Sequence, residues 1–138
     1  MSQENVEIVR SIYAKTERGD FSFLDREPEL RGFFVSDCEW HTREDLPDAG
    51  IRRGYEGLVR LRAEWADAFD DFHFALDELI DAGDHVVAVA RLCGCLRGSG
   101  HPVEVEETQV WKMREGRASE VRAYLTRTEA LKAVGLEK

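Results

Sequence analysis

The sequence predicts an α+β domain, its helices segregated on one side of a meander of long antiparallel strands. Three observations carry this. Apolar residues recur at helical spacing in the first half of the chain, apolar–polar alternation takes over from Phe72, and glycine-rich turns divide the second half into long strands. A chain of 138 residues suits one domain spanning 1–138.

Val6, Val9 and Tyr13, flanked by Ile8 and Ile12, mark a first helix that Ser2 can cap and Gly19-Asp20 ends. Phe21, Phe23 and Leu24 could begin a short second helix. Pro28 argues against an uninterrupted one, so Asp25 to Arg31 reads as an irregular insertion. Cys38 to Thr42 reads as a short strand, followed by a polar loop with Pro47, Asp48 and Gly50. Leu58, Leu61, Trp65, Ala68 and Phe69 set a third helix over Tyr55 to Phe69.

Strands follow. Phe72, Phe74, Leu76 and Ile80 alternate with polar or small neighbours up to the turn Ala82-Gly83-Asp84. Val86 to Leu96 is a long strand closed by Arg97-Gly98-Ser99-Gly100. Val103 to Met113 turns at Arg114-Glu115-Gly116-Arg117 into Ala118 to Leu125. Thr128 is placed to cap a final helix that stops at Gly135.

Charge and composition narrow the function. Apolar residues make up 43% of the chain, and 19 Lys plus Arg stand against 28 Asp plus Glu, a net −9. That sign argues against nucleic acid or an anionic membrane as the partner. The longest apolar run, Val86 to Ala90, cannot span a bilayer, and Glu4, Glu7 and Arg10 break any secretory leader. Three cysteines without metal spacing point to a reducing cytoplasm.

Both faces of Val86 to Leu96 are apolar. One is expected to lie under the helices and carry Val87, Val89, Arg91, Cys93 and Cys95. The other, with Val86, Ala88, Ala90 and Leu92, is expected to be covered by a second copy of the chain, giving a homodimer. On the next strand Glu107 and Gln109 interrupt the apolar row Val105, Trp111 and Met113. An inward Glu107 needs a partner, and Arg91, the single charge in its own row, is the expected one. The pair reads either as a pocket carboxylate oriented for acid–base work or as a structural ion pair. Tyr13, Trp40, Trp65, Phe69 and Trp111 would supply an aromatic lining, which is also plain core at these spacings. Gln109 would bond a ligand carbonyl or a buried backbone group.

Several segments then resemble one family. Ile12-Tyr13-Ala14 with Arg18-Gly19-Asp20, Cys38-Glu39-Trp40-His41 and Arg53-Gly54-Tyr55-Glu56-Gly57 are similar to the SnoaL-like branch of the nuclear transport factor 2-like superfamily. Phe69-Asp70-Asp71-Phe72, Asp81-Ala82-Gly83-Asp84, Arg97-Gly98-Ser99-Gly100, Gln109-Val110-Trp111 and Arg122-Ala123-Tyr124-Leu125 extend the resemblance over nearly the whole chain. It implies a cystatin-like cone: a curved antiparallel sheet wrapped around N-terminal helices, with a central pocket and often a dimeric state. Relatives include polyketide cyclases, ketosteroid isomerases, epoxide hydrolases and dehydratases.

By the family's strand register, the epoxide-hydrolase Asp-Arg-Asp set falls on Cys93, Arg91 and Ala123, with Trp40 and Thr42 at the water-holding places. The isomerase base falls near Thr42 and its oxyanion acid near Gln109. Only the arginine survives, so the resemblance implies the pocket without the usual carboxylates. Two functions follow: a protein that binds a small hydrophobic molecule, or a cyclase, isomerase or hydratase-type enzyme acting on a polyketide- or terpenoid-like molecule, with Glu107 carrying the proton. No cofactor is expected. His41, His73, His85 and His101 share no metal spacing, and no metal site is assigned to them.

Overall fold

The computed structural model describes residues 2–43 and 50–136. Four helices, α1 (Ser2–Thr16), α2 (Glu27–Phe33), α3 (Gly54–Ala68) and α4 (Arg127–Ala133), accompany six strands: β1 (Phe34–His41), β2 (Ile51–Arg53), β3 (Phe69–Ala82), β4 (His85–Leu96), β5 (Pro102–Arg114) and β6 (Arg117–Tyr124). They form one curved, unclosed sheet in the order β2-β1-β6-β5-β4-β3. Every pairing is antiparallel except β1 with β6, which is parallel. The expected α+β cone is therefore the fold.

Helices α1 and α3 lie in the concavity, α1 against β3 and β4, α3 against β1 and β2. Gly57 lets α3 approach closely: a Cβ there would sit 2.8 Å from the Arg52 carbonyl carbon. At the β5–β6 hairpin Glu115 and Gly116 both take positive φ, 53° and 79°, as a two-residue turn between twisted strands requires.

The stretch read as an insertion is ordered. Ser22–Leu24 makes a 3-10 turn and Glu27–Phe33 is helical, with Pro28 in the first turn, where its missing N–H costs no intrahelical bond. Thr126, not Thr128, caps α4: its side chain accepts from the Glu129 N–H at 3.2 Å. Ser2's side chain, and Pro47 and Asp48 of the expected loop, lie outside the described residues.

The facing of β4 is the main correction. Val86, Ala88, Ala90 and Leu92 point into the concave core with Tyr13, Phe74 and Trp111. Val87 and Val89 point outward, where α4 covers Val87 and Val110 with Ala130 and Leu131. The row expected to meet a second copy thus lies in the core, and the row expected under the helices faces outward, where the chain's own last helix covers part of it. Ile80 joins that outer cluster too, because a bulge between Leu76 and Glu78 shifts the alternation of β3.

Candidate functional site

Alternation on β5 turns Glu107, Gln109, Trp111 and Met113 inward, as expected. Helix α1 brings Tyr13 over the middle of this row. The Trp111 indole Nε1–H donates to the Tyr13 hydroxyl at 3.0 Å, that hydroxyl donates to the Gln109 amide oxygen, and the Gln109 amide N–H donates to Glu107 Oε2 at 2.7 Å. Tyr13 and Trp111 are each 1% exposed, Gln109 0% and Glu107 5%. Indole, phenol, amide and carboxylate thus form one buried chain on the concave face.

Aromatic rings surround it. Trp40 and Trp65 meet edge to face at 5.6 Å, Trp40 meets Trp111 at 5.7 Å, and Phe74 meets Tyr13 at 6.3 Å. The cavity among them is about 10 Å3, bounded by Tyr13, Trp40, Trp65, Gln109 and Trp111 together with Ile12, Thr16, Phe21, Phe23, Leu24 and Phe74. It has room for about one water molecule. Burial drives the Tyr13 phenol well above its ordinary pKa, an effect the Trp111 hydrogen bond opposes and the nearby Glu107 charge reinforces.

Of the ten residues expected to line a pocket, Tyr13, Trp40, Trp65, Gln109 and Trp111 meet at this cavity, and Glu107 joins through Gln109. Phe69 meets Phe72 in a tilted contact at 5.2 Å beside the core. Thr42 accepts from the Gly50 N–H at 2.9 Å and borders a separate groove at the end of the sheet. Phe21, Phe23 and Phe74 are cavity residues that the sequence reading did not assign. Phe74 was legible from its alternation with His73 and Ala75, whereas Phe21 and Phe23 sit in the stretch that Pro28 obscured.

Arg91 and Cys93 leave the site altogether. In the β4–β5 ladder Arg91 stands opposite Glu106 and Ala90 opposite Glu107, so Arg91 and Glu107 occupy opposite faces. Arg91 makes a two-pronged contact with Asp77, at 3.0 and 3.1 Å, and reaches Glu104 at 3.3 Å, its side chain 38% exposed. The Cys93 thiol contacts the Arg91 carbonyl on that outer side, and burial raises its pKa. The expected Arg91–Glu107 ion pair is therefore not formed; on the concave face the Gln109 amide N–H donates to Glu107.

The model of the SnoaL-like domain matches residues 9–121. The chain belongs to the SnoaL-like family. A putative SnoaL-like polyketide cyclase from Jannaschia sp. CCS1 superposes with a TM-score of 0.74 at 19% identity, over 99% of this chain and 95% of that one. A protein of ketosteroid isomerase-like fold from Catenulispora acidiphila, solved with trimethylamine, gives 0.71 at 20% identity, with 94% and 93% covered. A nuclear transport factor 2-like protein from Burkholderia thailandensis gives 0.73 at 26% identity, with 96% and 95% covered. No curated protein matches the sequence. The SnoaL-like chain therefore shares the cone with its relatives, and its chemistry has to be argued from its own residues.

Proposed function

We propose that this SnoaL-like protein binds a small hydrophobic molecule on its concave face, with Glu107, Gln109 and Tyr13 meeting a polar group of that molecule. The carrying observation is the buried chain Glu107–Gln109–Tyr13–Trp111 set among aromatic rings. Few polar groups held in register within an apolar concavity is the composition of a ligand site. The Gln109 amide and Tyr13 hydroxyl can exchange their mutual bond for one to a ligand carbonyl or hydroxyl. A cavity of about 10 Å3 holds no such ligand, so Trp40 or Trp65 has to swing aside on binding. The three free thiols, of which Cys95 is half-buried, fit a reducing cytoplasm.

A second reading is an enzyme of the cyclase, isomerase or hydratase type on a polyketide- or terpenoid-like substrate. Its support is Glu107 itself, a carboxylate buried beside an aromatic cavity, which is where a proton carrier would stand. Thermal-shift screening of hydrophobic carbonyl compounds tests the binding. A true ligand raises Tm in the native protein and loses that effect in Gln109→Leu. A library without a single stabilising compound would sink both readings. Turnover of a hit that disappears in Glu107→Gln decides for the enzyme.

A further inference from the structure

On the outer side of β1, strand alternation aligns Glu39 and His41, and the parallel pairing sets Glu120 of β6 directly beside Glu39. The two-residue spacing of Glu39 and His41 lies in the sequence, but the third residue arrives from a distant strand in a parallel pairing the sequence does not announce. One donor atom from each of the three side chains lies within 4.8 Å of the others. His41 Nε2 is 3.0 Å from Glu39 Oε1 and 3.7 Å from Glu120 Oε1. Donor separations of this size can be spanned by an ion seated about 2.0–2.2 Å from each. The remaining carboxylate oxygens are held from behind: Arg53 Nε is 3.3 Å from Glu39 Oε2 and Arg122 Nε 3.6 Å from Glu120 Oε2. Such outer contacts fix the direction in which a ligating carboxylate points. The His41 side chain is 16% exposed, so the cluster is recessed yet reachable.

We propose that Glu39, His41 and Glu120 bind one divalent transition-metal ion of the zinc class. One imidazole and two carboxylates suit such an ion, and three protein ligands leave a coordination position open. His41 and Arg122 also line a groove of about 370 Å3 whose wall includes Arg43, Tyr124 and Glu129. With His41 neutral, the two carboxylates are balanced by Arg53 and Arg122, so the ion's charge is left over. That favours an anionic fourth ligand, a carboxylate or phosphate group, from the groove side.

Calorimetric titration of the chelator-treated full chain with zinc chloride at neutral pH tests the site. The expected result is one ion per chain with a micromolar Kd. His41→Ala and Glu120→Gln should each weaken binding by ~10-fold or more, while His73→Ala and His85→Ala leave it unchanged. Circular dichroism checks that each variant is folded, and Glu120→Gln keeps the test open if His41→Ala is not. A cobalt(II) spectrum lacking sulfur charge-transfer bands is expected. No binding to the native chain, or binding that survives both substitutions and is lost in Cys95→Ser, would overturn the site and leave the cluster as an ion-pair clamp between β1 and β6.

Discussion

The Tyr13 hydroxyl, carried on the first helix, accepts from the Trp111 indole N–H and donates its own O–H to the Gln109 amide oxygen, tying α1 to the centre of β5. Both residues are fully buried, so each bond lost strands a partner. Tyr13→Phe removes one donor and one acceptor while keeping the ring. It should destabilise the fold by about 1–3 kcal/mol, read from urea denaturation. A double-mutant cycle with Gln109→Leu should be non-additive, because the two side chains share one bond.

The same burial makes stability sensitive to alkali. The Tyr13 pKa is raised above the ordinary 10.0, so the folded state favours the neutral phenol. Stability from this group is fully present below the unfolded pKa and is lost as pH rises beyond it, since the unfolded chain then releases a proton the folded chain retains. Denaturation midpoints should therefore fall above about pH 10. In Tyr13→Phe the fall should be shallower. An identical pH profile in both proteins would show that Tyr13 is not the group responsible.

Arg91 offers the opposite case. Its guanidinium lies on the outer face between Asp77 and Glu104. Arg91→Met should behave as an ordinary surface substitution, and its effect should add to that of Glu107→Gln. Coupling is expected instead with Asp77→Ala.

How much of this was legible can be followed on β4. Its length, turns and apolar character were plain, and the α+β class followed from helices preceding long alternating strands, the cone being what the SnoaL-like resemblance implied. Which face turned inward was not, because α4 covers Val87 and Val110 on the outer side and both rows therefore carry apolar residues. Arg91 and Glu107 have the same parity, but in the antiparallel register Arg91 faces Glu106, which sends the two side chains to opposite faces. Register depends on the partner strand and no single-strand pattern contains it. The parallel β1–β6 pair and the three-residue β2 escaped for related reasons, one being non-local and the other too short for alternation. Glu107, Gln109, Trp111 and Tyr13 were found because two polar residues in an apolar row, and aromatics at helical spacing, are signals that survive an error of register elsewhere.

Thr108 supplies a stabilising prediction. It is fully buried, and its hydroxyl has no hydrogen-bond partner among the described residues. Valine matches its shape without the orphaned donor. Thr108→Val should raise stability by about 1–3 kcal/mol, measured as an upward shift of the urea midpoint with unchanged slope. A loss of stability would mean that the hydroxyl has a bonded partner, a buried water included.

The most direct test of the concave-face site uses the indole N–H resonances of Trp40, Trp65 and Trp111 in a heteronuclear NMR spectrum. These three tryptophans, all the chain contains, border the same cavity. Titration with a stabilising hydrophobic carbonyl compound should shift all three signals together, saturating at one ligand per chain, with Trp111 losing its shift in Tyr13→Phe. Stabilisation of the protein with the three indole signals unmoved would place the ligand elsewhere and contradict the account.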